Sequence, residues 1–95
     1  MVSKLISLDS IVSQKEDVDV TELNKEKIMM DLDKGKYFML NETGSAIWDT
    51  INEPKSVSEI IESIIKEYDI DRGTCESKVL EYLEKLRHEE IVFIN

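Results

Sequence analysis

The sequence predicts an α+β domain, a three-stranded antiparallel sheet followed by a three-helix winged helix-turn-helix. Three observations carry this. Apolar residues alternate with period two up to about Leu40, take helical spacing after it behind recognisable N-cap residues, and end in the short apolar run Ile91-Val92-Phe93-Ile94.

The elements follow in order. Val18 and Val20 alternate with polar Asp19 and Thr21, and Leu23 closes the segment, as in a half-buried strand. Asn24-Lys25-Glu26 is a tight turn, and Ile28-Met29-Met30-Asp31-Leu32 is a second, more central strand. Asp33-Lys34-Gly35-Lys36 turns the chain again, with Gly35 supplying a positive φ, into the third strand Tyr37-Phe38-Met39-Leu40, an edge. Asn41 caps a first helix whose apolar positions are Ile47, Trp48 and Ile51; the small residues Gly44 and Ala46 predict a close neighbour, and Pro54 ends the segment. Ser56-Val57-Ser58-Glu59 is a capping box. Behind it Val57, Ile60, Ile61, Ile64, Ile65 and Tyr68 form the cleanest amphipathic stripe in the chain. Asp71 or Thr74 caps a third helix with an apolar face of Val79, Leu83 and Leu86. The expectation is one domain over residues 1–95, with strands at about 17–40, helices at about 41–90 and a terminal strand at 91–94.

Composition narrows the function. The chain has 95 residues, 21 acidic against 12 basic side chains, and a net charge of −9. Residues 1–55 carry −4 and residues 56–95 carry −5, so neither half has a basic stripe. Nucleic acid and anionic membrane are poor partners for such a surface, and a basic or hydrophobic peptide is a better one. No apolar run exceeds four residues, which excludes a helical membrane span, and Met1–Ser10 holds one lysine but no apolar core segment of a secretory signal. One cysteine and this charge balance fit a cytoplasmic protein.

No catalytic constellation survives inspection. Cys75 and His88 lie 13 residues apart on one helix. That is about 220° of rotation and about 20 Å of rise, too far for a dyad. Cys75 reads as a small apolar residue at the core's rim and His88 as a surface residue suited to a helix C-terminus. Asp31-x-Asp33-x-Gly35 with Glu42 has calcium-loop spacing but puts Gly35 at a ligand position and Lys36 where glycine is needed. No Cys/His cluster has zinc spacing, and no cofactor is implied. A DNA-reading third helix would carry Glu76, Glu81, Glu84, Glu89 and Glu90 against Lys78, Lys85 and Arg87, the wrong sign for a phosphate groove. The edge strand stands out: Tyr37-Phe38-Met39 is more apolar than a protected edge should be. Either both of its faces are buried, one against the helices and one against the N-terminal segment, or the edge is open to an added peptide strand.

Gly35-Lys36-Tyr37-Phe38-Met39-Leu40-Asn41-Glu42-Thr43-Gly44-Ser45-Ala46-Ile47-Trp48 resembles the G-x-Y-x-x-LN-x-T-G-x-x-IW signature of the PqqD-like family. Ser56-Val57-Ser58-Glu59-Ile60, Tyr68-Asp69-Ile70-Asp71 and Val79-Leu80-Glu81-Tyr82-Leu83-Glu84-Lys85-Leu86 continue it in order, and the likeness spans residues 15–95. The resemblance implies a non-catalytic recognition element for ribosomally synthesised, post-translationally modified peptides, one that binds a precursor's leader and presents it to modifying enzymes. It implies a leader strand added beside Tyr37, Phe38 and Met39, a helix wall of Cys75, Lys78, Val79 and Tyr82, and a core holding Leu40, Ile47, Trp48, Ile61 and Leu83. Pro54 and Cys75 look like the lasso-peptide members, where the partners are a leader peptidase and an ATP-dependent cyclase. Glu89-Glu90-Ile91 departs from the family pattern, which favours a Gly-Leu turn there. The rival reading is a winged-helix regulator acting through DNA or protein contacts, which rests on topology alone.

Overall fold

Asn24 and Lys25 both adopt positive φ (51° and 68°), the twist that a two-residue hairpin requires. They join β2 (Val18–Leu23) to β3 (Glu26–Asp31). A four-residue turn ending at Gly35, φ 68°, leads into β4 (Lys36–Leu40). The computed structural model describes residues 5–95, so the reading of Met1–Ser10 lies partly outside the described residues. The three strands form one antiparallel sheet in the order β2-β3-β4, as the alternation predicts.

The helices follow their caps. Asn41 accepts the Gly44 N–H at 2.9 Å and starts α1 (Glu42–Thr50). Ser56 and Glu59 complete the capping box of α2 (Val57–Glu67) at 3.1 and 2.9 Å. Asp71 rather than Thr74 caps α3 (Arg72–His88), accepting the Thr74 N–H at 2.9 Å. Val57, Ile60, Ile61 and Ile64 bury one face of α2, and Cys75, Val79, Leu83 and Leu86 one face of α3. With Met29 and Leu40 from the sheet and Ile47, Trp48 and Ile51 from α1 they form one core cluster. No helix among the described residues is long and apolar enough to cross a membrane.

A second sheet was not foreseen. Ile11–Gln14 forms β1, the centre of a three-stranded antiparallel sheet between β5 (Lys55–Ser56) and β6 (Val92–Ile94). Val12 is fully buried there and pairs with Ile94 on one side and Lys55 on the other. Four residues with one buried side chain carry almost no local signal, and this strand is specified by partners far along the chain.

Asp31 ties the two sheets together. Its carboxylate is fully buried, receives Lys15 Nζ at 2.8 Å on both oxygens, and accepts the N–H groups of Asp33 (3.0 Å) and Lys34 (3.3 Å). Lys15 thereby anchors the β3–β4 turn to the β1–β2 connection. The ammonium, followed by the two N–H groups, holds the Asp31 carboxyl below its ordinary value. A depressed folded value adds stability that is complete above the ordinary carboxylate range and lost as pH falls through the folded value. Asp31→Asn is therefore expected to be less stable than the parent near neutrality, with the gap closing below about pH 4. Urea midpoints across pH check this, and a gap constant with pH contradicts it.

The C-terminus of α3 explains the departure at Glu89-Glu90-Ile91. Glu90 adopts φ 61°, its N–H donates to Arg87 C=O at 2.9 Å, and the Ile91 N–H donates to Leu86 C=O at 3.2 Å. This is a Schellman cap with glutamate at the left-handed position, while Leu86 and Ile91 are both buried. Glu90 also meets Lys34 at 3.2 Å, an exposed pair of small worth. Relief of the left-handed strain outweighs that pair, so Glu90→Gly should stabilise the protein by about 0.5–1 kcal/mol, visible as a raised Tm. A lowered Tm would show that the Lys34 pair dominates.

Candidate peptide-binding groove

β4 pairs with β3 on one side, and among the described residues no strand pairs with its other side. Among the described residues the N-terminal segment does not pair with it, and β1 is spent on β5 and β6. Tyr37 and Met39 are 70% and 72% exposed, while Leu40 is buried and Phe38 half-buried against the core.

The open side of β4 faces the C-terminal half of α3 across a groove of about 1090 Å³. Its floor runs from Lys36 to Asn41, and its wall includes Glu81, Tyr82, Lys85, Leu86 and His88. Lys85 Nζ lies 5.9 Å from the Tyr82 ring centroid. The ring packs on α1 at Gly44, where an added Cβ would stand 2.4 Å from the ring Cζ and the hydroxyl oxygen. Gly44 thus meets the expectation of a close neighbour. The Asn41 N–H donates to the Tyr82 hydroxyl at 3.4 Å. That donor points at α3 and away from β3, and main-chain direction repeats every two residues, so the N–H groups of Met39 and Tyr37 share the outward direction.

The residues expected at the site divide into two sets. Tyr37, Phe38, Met39 and Tyr82 come together in this groove. Cys75, Lys78 and Val79 instead line a separate cavity of about 200 Å³ with Glu42, Thr43 and Tyr68. Cys75 and Val79 are 1% exposed and belong to the core face of α3. Lys78 lies one turn before Tyr82, about 40° away around the axis, but at that level the first turn of α1 rather than β4 stands opposite. Glu81, Lys85 and His88 were missed as wall residues. Their signal was their spacing around Tyr82, usable only once the side of α3 facing β4 is known.

The groove carries charges of both signs, Lys36 and Lys85 beside Glu81, Glu84 and Glu89, and His88 also lines it. Burial pushes the Cys75 thiol above its ordinary value, which leaves it protonated at neutral pH. The Asp31 carboxylate of the calcium-like spacing is occupied by Lys15. Apolar floor, unpaired backbone and mixed charge suit an extended peptide.

A family profile described as "Coenzyme PQQ synthesis protein D (PqqD)" matches residues 26–92, which include β3, β4 and all three helices. The chain belongs to the PqqD family. Two solved structures resemble this PqqD-family chain. One, "TbiB1 in Complex with the TbiA(beta) Leader Peptide", is 31% identical with a TM-score of 0.75, over 84% of this chain and 93% of the other. The other, "Lasso peptide synthetase B1 complexed with the leader peptide", is 17% identical with a TM-score of 0.72, over 86% and 96%, and bears on the fold alone. No curated protein matches the sequence.

Proposed function

We propose that this PqqD-family chain is a non-catalytic recognition protein that binds the leader segment of a ribosomally synthesised precursor peptide. The leader adds as a strand to the open edge of β4 and lays its side chains in the groove against α3. The bound leader is then delivered to modifying enzymes of a lasso-type pathway, a leader peptidase and a cyclase, in the cytoplasm. In this reading residues 1–95 act as one domain, with α1–α3 and β6 arranged as a winged helix-turn-helix. The unpaired outer edge of β4, facing the groove, is the observation that carries the proposal. Support from similarity comes from TbiB1, solved in complex with the TbiA(beta) leader peptide.

The energetics are consistent with such a site. A disordered leader spends about 2–5 kcal/mol on ordering. Two or three apolar anchors at about 1.5–3 kcal/mol each offset that, and main-chain bonds to β4 supply direction and register. A DNA-reading role is disfavoured by the exposed Glu81 and Glu84 on α3 and by Glu89 at its C-cap, where phosphates would have to lie.

The test is titration with the leader segment of the precursor encoded beside this chain, followed by amide chemical shifts. Residues of β4 and the Glu81–Glu89 side of α3 should move together at a stoichiometry of one. Absence of binding at high micromolar leader would remove the proposal.

A further inference from the structure

We propose that the Tyr82 hydroxyl is a register stop: by occupying the outward N–H of Asn41, it ends the ladder open to an added strand at Met39 and fixes where on β4 that strand must terminate. The inference rests on the strand-addition reading above.

An edge strand of this kind has a specificity problem that the alternation of side chains alone does not solve. A slip of one residue would turn every apolar side chain of the guest to the wrong face and is rejected by burial. A slip of two residues restores the faces, so burial of one face does not reject it, and a limit at the end of the ladder opposes it directly. Asn41 is still extended (φ −72°, ψ −174°), so the geometry of β4 would otherwise run on through it. Each of its ladder groups is committed. The Asn41 carbonyl accepts the Ser45 N–H at 2.8 Å inside the first turn of α1, and the Asn41 N–H goes to Tyr82.

The stop is held by packing. The Tyr82 ring rests where a side chain at residue 44 would be, and Gly44 is the residue that leaves the space. The side chain is partly buried against the core. A phenol so held has little rotamer freedom to lose, and its hydroxyl stays opposite Asn41 whether or not a peptide is present. The remaining edge, Lys36–Leu40, is five residues and about 17 Å long. A guest longer than this must leave the sheet at Tyr82.

Tyr82→Phe keeps the ring and removes the stop, and Gly44→Ala displaces the ring tip by another route. Both are tested, once an unchanged far-ultraviolet spectrum and a cooperative melt show folding, with synthetic TbiA(beta) leader peptide at saturation as the probe. In the parent, the Tyr37 and Met39 amides should gain hydrogen-exchange protection on binding, the Asn41 amide should not, and one set of cross-strand HN–Hα contacts should define a single register. In either variant the free Asn41 amide should exchange about three- to ten-fold faster, the range for one lost hydrogen bond. The bound peptide should then protect Asn41 and show a second set of contacts displaced by two residues. A single parental register in both folded variants, with Asn41 still unprotected, would overturn the stop while leaving strand addition standing. No protection of Tyr37 and Met39 in the parent would remove strand addition, and the stop with it.

Discussion

Met39→Pro is expected to weaken leader binding at least about ten-fold without unfolding the protein. The N–H of Met39 shares the outward direction of the Asn41 N–H, so it is a donor that an added strand would use, and proline lacks it. The lost bond is worth about 1 kcal/mol, and the proline ring stands where the guest backbone must approach, which adds a steric cost. The fold should tolerate the change, because proline is accepted on an edge strand when its missing N–H faces solvent, and Met39 is 72% exposed. Met39→Leu separates backbone from side chain: it keeps the donor and should bind within a few-fold of the parent. Isothermal titration with the cognate leader, alongside thermal melts, reads both. Unchanged affinity for a folded Met39→Pro protein would rule out strand addition at this edge.

Leu83→Ala should produce the largest loss of stability. Leu83 is fully buried on the core face of α3, in the same cluster as Ile60, Ile61 and Val79, where α3 packs on α2. Truncating such a leucine costs about 2–5 kcal/mol, lost transfer energy plus the cavity left behind. Domains of this size are stable by only about 5–15 kcal/mol, so the Tm should fall by at least about 10 °C. Leu83→Met, which conserves volume, should cost less than about 1.5 kcal/mol. The loss should be one of stability rather than recognition: below its melting point the variant should bind leader with near-parental affinity, since Leu83 does not line the groove. A large change in affinity in the folded variant would show that α3 sets the groove through its core contacts.

Met39 lies on the open edge of β4 and Leu83 on the core face of α3, and the core face was legible in the chain where the groove was not. Asn41, Ser56 with Glu59, and Asp71 cap the helices within three residues of themselves, so their signals are local and readable. The hairpin at Asn24-Lys25 and the turn at Gly35 are local as well. The buried stripe Cys75, Val79, Leu83 and Leu86 follows from periodicity, and it is why Cys75 behaves as a core residue. The groove wall follows from no local rule. Lys78 and Lys85 lie on the same flank of α3, but α1 crosses that flank near Lys78 and β4 runs past it near Lys85.

By itself the sequence determined the α+β class, the meander β2-β3-β4, the three capped helices, the core stripe of each, and an edge strand too apolar to be an ordinary edge. These depend on contacts between neighbours in the chain or on a face repeating at a fixed period. Tertiary structure decided the rest: that Ile11–Gln14 joins Lys55–Ser56 and Val92–Ile94 in a second sheet, that no strand among the described residues covers the outer edge of β4, and that Glu81, Tyr82, Lys85 and His88 rather than Cys75, Lys78 and Val79 look onto it. Each of these is settled by the angle and height at which packed elements cross, a free-energy balance summed over the whole core, to which no single segment holds the key.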